Sequence, residues 1–187
     1  MKMARRLVIA VSGKPGTGKT TYAKHLASTF GLRYVSSGEL FRRIAAERGL
    51  SLLELHRLAE KDESVDLEVD RRALEEASRG GVVVEGHLAA WALKDVADLK
   101  IIFTAPLEVR ARRVAGRDGK PVPEALAEVI AREESNRRRA LKYYGLDIED
   151  LSIGNLVLDT SLLDVEGVKK VIETFVREYL RVHPEKL

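Results

Sequence analysis

The stretch "GKPGTGKT", residues 13–20, follows the apolar run "RLVIAVS" and leads straight into "TYAKHLA". Gly13, four residues, then Gly18, Lys19 and Thr20 reproduce the full phosphate-loop signature. Glycines let consecutive N–H groups turn inward around an anion, and Pro15 stiffens the turn. A helix starting near Gly18 would point its positive end at the same place. Gly13, Lys14, Pro15, Gly16, Thr17, Gly18, Lys19, Thr20 and Thr21 are therefore the expected cradle for a nucleotide's phosphates. Within it Lys19 would reach the β- and γ-phosphates, and the Thr20 hydroxyl would serve the Mg2+ ion that travels with them.

Outward from the loop, strand and helix signals alternate. Strands read at about 6–12, 32–36, 81–85, 99–104 and 155–159. Helical stretches lie near 18–30, 38–48, 51–61, 66–79, 106–116, 123–144 and 164–181. Continuous apolar runs such as "GVVVE" and "LKIIFTA" suit strands buried on both faces. The pattern predicts one α/β domain over 1–187: a five-stranded parallel sheet with helices on both faces. In such sheets ligands sit beyond the carboxyl ends of the strands. Ser36–Ser37, Glu85–His87, Thr104–Pro106 and Asp159–Ser161 fall there. The stretch "GRDGKPVP", residues 116–123, reads as the hinge of a lid, and the tail "VHPEKL" reads as frayed.

Bulk properties narrow the function classes. At 187 residues, 45% hydrophobic and 33% charged, the chain can bury a real core. No apolar run approaches a membrane span and no signal-peptide pattern is visible, so a cytoplasmic, membrane-free protein is expected. With no cysteine there is neither disulfide nor thiolate metal site. The absence of glutamine, with abundant Arg, Glu and Lys, leans toward a heat-adapted composition. The net charge of +3 fits an anionic small-molecule site. Its arginines interleave with Asp and Glu, and Arg137–Arg139 lacks accompanying aromatics, so no nucleic-acid partner is expected.

Phosphoryl transfer requires aligned donors and positive charge around the moving group. Arg113 and Arg117 lie one turn apart before the glycine-proline stretch, and Arg132 and Arg139 lie about two turns apart after it. Each of these arginines has a plainer reading as a solvated or ion-paired helix residue. Flanking one hinge, they are read together as a catalytic set with Lys19. Helical geometry puts Arg132, Asn136 and Arg139 on one face. Arg137 falls opposite, with Leu126, Ile130, Leu141 and Tyr144, and that side is expected to pack inward. Ser37 can cap the helix that follows the second strand, and Arg42 projects about one turn further along it.

The blocks "GKPGTGKTT", "VSSGELFR", "VVVEGHLAAW", "APLEVRARRVAGRDG", "REESNRRRALKYYGLDIEDLS" and "LVLDTS" stand in an order that resembles cytidylate kinases of the short archaeal-type branch. The likeness runs from about residue 6 to 161. It implies a nucleoside monophosphate kinase fold with a monophosphate-binding helical region at about 37–79 and a small lid at about 113–139. It implies transfer of a phosphoryl group from ATP to CMP or dCMP, with Mg2+, by a monomer whose partners are small-molecule nucleotides. The same resemblance assigns Glu85 to the metal shell with Thr20, and Arg42 to the acceptor phosphate. Ser37, Gly38, Asp66, Asp70, Arg71, Gly86, His87 and Trp91 complete the implied acceptor site. His87 stands where the family usually has arginine, Ala90 precedes Trp91 where glycine is usual, and Ala140 replaces an aromatic. Two other readings stay open on the sequence: a kinase for another monophosphate such as AMP or UMP, and a slow-turnover nucleotide-binding assembly factor on the same fold.

Overall fold

The apolar run before the glycine loop forms strand β1 (Val8–Gly13), and all six of its residues are buried. The computed structural model describes residues 6–187. The other strands are β2 (Arg33–Ser36), β3 (Val82–Glu85), β4 (Leu99–Thr104) and β5 (Leu156–Asp159). They form one parallel sheet in the order β2-β3-β1-β4-β5. Register aligns Ser36 with Glu85, Val11 with Glu85, Gly13 with Phe103 and Thr104 with Asp159, so the carboxyl ends share one edge.

Helices cover both faces. Residues Ile9, Val11, Ile101 and Phe103 pack against α1 (Lys19–Phe30) and the amphipathic α8 (Val165–Val182). Residues Val8, Ala10, Val82 and Val84 pack against α2 (Ser37–Glu47), α3 (Leu52–Ala59) and α4 (Ser64–Ser78). A single turn, α5 (Ala89–Ala92), follows β3 and is too short to leave a readable periodicity. Beyond β4, α6 (Leu107–Asp118) and α7 (Val122–Tyr144) form a helical hairpin with its own seam of Val114, Ala115, Ala125 and Val129.

Four expectations need correction. The eight-residue stretch read as a hinge is mostly helical, and only Gly119–Pro121 separates α6 from α7. The cap of α2 is Ser36, whose side chain accepts from the Glu39 amide; Ser37 is already helical. On α7 the inward stripe is Ala125, Val129 and Ala140, while Ile130 and Leu141 are exposed, Leu141 by 60%. Small residues let that helix approach closely, which a hydrophobic count alone does not register. The tail is docked: the Leu7 amide donates to the Lys186 carbonyl at 2.9 Å, and Lys186 pairs with Asp98 at 2.7 Å.

Candidate active site

The phosphate loop closes from β1 into α1 through Gly16 and Gly18, both in the left-handed region at φ 83° and 89°. A β-carbon on Gly16 would strike the Arg110 carbonyl, so this glycine serves close packing as well as backbone freedom. Among the described residues no side chain caps the N-terminus of α1, which leaves its first amides available to an anion. The loop's carbonyls are occupied. The Lys14 carbonyl accepts from the Thr17 hydroxyl at 2.9 Å, and the Thr17 carbonyl accepts from Thr160 at 2.9 Å. Arg110 donates to the Pro15 carbonyl and Arg113 to the Gly16 carbonyl, each at 3.3 Å. Four consecutive carbonyls thus have partners, which removes the groups that would repel a phosphate.

Lys19 extends from the first turn of α1 to 3.9 Å from Glu85. Burial depresses its pKa; Glu85 opposes the shift, and the charges of Arg132 and Arg117 add to it. The charges of those two arginines thus reach the lysine, although neither contacts it. Glu85, only 4% exposed at the end of β3, accepts from the Tyr34 hydroxyl at 2.8 Å and from Thr20 Oγ1 at 3.3 Å. A hydroxyl and a carboxylate on adjacent elements are hard oxygen donors of the kind Mg2+ takes when phosphates and water fill its remaining positions. Among the described residues no cluster of three or more His, Asp or Glu could hold a metal unaided.

The expected arginines fall into different settings. Arg113 is committed through 2.7 and 2.9 Å bonds to Thr160 and the bond to Gly16, so it flanks the loop instead of hanging over it. Arg117 is largely exposed and bonded to Asp118. Arg132 is half exposed, 3.5 Å from Glu128. Arg139 is mostly buried, with Nε 2.9 Å from Asp66 Oδ2 in a charge contact that lacks an aligned N–H. Arg138 projects outward, 68% exposed.

On the acceptor side, Asp66 and Asp70 of α4 meet Arg139 and Tyr144 of α7. Burial raises the Asp70 pKa to about 6; the Tyr144 bond opposes this and the Asp66 charge adds to it. Arg71 is not part of this group: it pairs with Glu75 on the exposed side of α4. Arg42 is exposed on α2 without an ion pair or hydrogen bond to another described residue. Gly86 admits the Ser37 side chain, which a β-carbon there would displace. His87 and Trp91 line a cavity of about 230 Å³ with Phe103, Ile148, Lys14, Arg110 and Glu149. His87 Nδ1 is buried without a hydrogen-bond partner among the described residues, and burial, followed by the charges of Lys19, Lys14, Arg132 and Arg139, pushes its pKa down to about 3.

The sequence profile of the cytidylate kinase-like family matches residues 8–162. The chain belongs to that family. It is 54% identical over 162 residues to a cytidylate kinase from Aeropyrum pernix, covering 87% of this chain and 94% of that protein. It is 48% identical over 175 residues to a cytidylate kinase from Staphylothermus marinus, covering 94% and 99%. Solved structures share the fold. An uncharacterised protein from Eubacterium ventriosum superposes with a TM-score of 0.72 at 18% identity, covering 92% of this chain and 99% of the other. A shikimate kinase from Bacteroides thetaiotaomicron superposes with a TM-score of 0.63 at 15% identity, covering 94% and 98%.

Within this member of the family, several site residues escaped sequence reading. Arg110 and Thr160 bind loop carbonyls, Tyr34 binds Glu85, Tyr144 binds Asp70, and Glu133 and Glu149 bind Lys14. Thr160 lies inside a strand-end segment already marked for search, and Arg110 lies one turn before Arg113. Nothing in the sequence distinguishes Glu133 from its neighbour Glu134.

Proposed function

We propose that this chain transfers the γ-phosphoryl group of ATP to CMP or dCMP, giving ADP and CDP or dCDP. The observation that carries this reading is the near whole-length identity to cytidylate kinases, about half of all aligned positions. An acceptor phosphate oxygen attacks the γ-phosphorus, and the bond to the β,γ-bridging oxygen breaks with its electron pair leaving on ADP. The acceptor is a phosphate monoester with second pKa about 6, already mostly ionised near neutrality, so no general base is needed. What the protein must supply is alignment and charge. Loop amides and Lys19 hold the donor phosphates, and Arg117 and Arg132 meet the charge on the transferring group. Thr20 and Glu85 would hold Mg2+, directly or through water, and the ion when bound neutralises phosphate charge.

Arg42 and Arg139 serve the acceptor phosphate, and Asp66 and Asp70 its base or ribose. Ser37 and Gly38 at the start of α2 supply backbone donors to the same nucleotide. Arg113 acts by fixing the loop at Gly16. The α6–α7 hairpin acts as the lid, and helices α2–α4 form the acceptor region. We assign the protein as a monomer whose partners are small-molecule nucleotides. No helix among the described residues is long and apolar enough to cross a membrane, and we assign the protein to the cytoplasm. Coupled ADP release with a panel of nucleoside monophosphates tests the assignment: CMP and dCMP are expected to give the highest kcat/KM. A higher value for AMP or UMP than for both would overturn the substrate, and negligible turnover with every acceptor would overturn the reaction.

A further inference from the structure

Lys14, the second residue of the phosphate loop, does not have a free ammonium. Its Nζ lies 2.6 Å from Glu133 Oε1 on α7 and 2.9 Å from Glu149 Oε1 beyond that helix. The other Glu133 oxygen accepts from Arg110 Nη1 at 3.0 Å. Arg110 is only 5% exposed and is fixed by bonds to the Ala105 and Pro15 carbonyls. One carboxylate thus bridges two cations, each anchored to the phosphate loop or to the end of β4. Among the described residues, Glu133 is the one α7 side chain that bonds to the loop. A carboxylate held at both oxygens fixes the rotation of its helix as well as its distance, because bidentate contacts are directional. The residue before it is Arg132, half exposed on the same helix 3.5 Å from Glu128, with a charge that reaches Lys19.

We propose that Glu133 is a positioning residue for phosphoryl transfer, setting the rotation of α7 against the loop so that Arg132 meets the transferring group. The proposal rests on the role given above to Arg132. It differs from a purely structural ion pair in one respect: its effect passes through a single arginine. Lys14 accordingly contributes its backbone to the phosphate cradle and its side chain to the lid.

A kinetic cycle tests this. kcat and both KM values are measured with ATP and CMP for wild type, Glu133→Ala, Arg132→Met and the double variant, well below the melting temperature of each. Glu133→Ala is expected to lower kcat about 10-fold or more with each KM within about 3-fold, the signature of an interaction expressed in the transition state. The double variant is expected to match Arg132→Met within about 3-fold, since residues acting as one unit are not additive. Glu133→Gln, which keeps its shape and an acceptor, carries the same cycle should the alanine variant not fold. Multiplying losses, an unchanged kcat, or a rise confined to the KM for ATP would overturn the proposal. If Arg132→Met itself leaves kcat unchanged, the arginine's proposed role fails and takes this inference with it. If that variant is impaired but its loss multiplies with that of Glu133→Ala, the inference alone fails.

Discussion

The Tyr144 hydroxyl donates to Asp70 across 74 residues of chain, tying the last turn of α7 to the middle of α4. The tie encloses a carboxyl that burial holds at a pKa of about 6, against an ordinary value of 3.8. The folded state therefore binds the Asp70 proton more tightly than the unfolded state. Stability from this group is complete below about pH 4 and falls as pH rises through about 6. The shift corresponds to about 3 kcal/mol at most. Asp70→Asn should therefore lose less melting temperature than wild type between pH 4 and 7, as read by calorimetry without ligand. Parallel curves would mean that the carboxyl is solvated.

The opposite slope is expected of His87. Its folded pKa of about 3 lies below the ordinary 6.5, so the unfolded chain takes up a proton that the folded chain refuses. Stability from the neutral ring is present above about 6.5 and is lost as pH falls toward 3. His87→Gln should remove part of the acid sensitivity. The same ring stays neutral across the assay range unless bound phosphate raises its pKa. The KM for CMP should thus track the acceptor's own ionisation near pH 6. A tightening from pH 8 to 6.5 that disappears in His87→Gln would show instead that the bound ring is charged.

Lys19→Met separates chemistry from folding. Burial depresses the pKa of this ammonium, so its charge weakens the unliganded fold at neutral pH. The variant should melt at the same temperature or higher without ligand, yet lose at least about 10²-fold in kcat. A marked fall in melting temperature would identify a structural lysine.

The arginines of α7 should divide three ways in steady-state kinetics and melting. Arg132→Met should lower kcat about 10²-fold with little change in stability, since its side chain is half exposed. Arg139→Met should cost both activity and several degrees of melting temperature, because it strands the Asp66 carboxylate in a buried place. Arg138→Met should change either quantity only slightly. Equal, small effects at all three would reduce the cluster to a solvated helix face.

The five strands and their parallel sheet were legible because apolar runs such as Val82–Val84 leave little alternative, and the phosphate loop announces itself through its glycines and Lys19; the spatial order of the strands was not read. The positions of Lys19, Glu85 and Arg132 on their elements were legible, since strand ends and helix faces follow from counting; the roles proposed for them do not. The grip on the loop was not. Arg110, Glu133 and Thr160 meet the loop at Pro15, Lys14 and Thr17, which lie 95, 119 and 143 residues away, and no spacing rule encodes such a meeting. Arg113 illustrates the limit: sequence identifies the turn it occupies but not that Thr160 holds it there.

The apolar seam between α6 and α7 constrains how the proposed lid would open. Val114 and Ala115 against Ala125 and Val129 bind the two helices into one body, so the short turn at Gly119 is the tip of a paddle. Opening then has to bend α6 beyond Arg113, since Arg110 and Arg113 hold its first turns to the loop and to Thr160, and has to release the Glu133–Lys14 pair on α7. Paired spin labels, both on the hairpin, should keep their separation when nucleotides are added. A label on α6 and one on α8 should not.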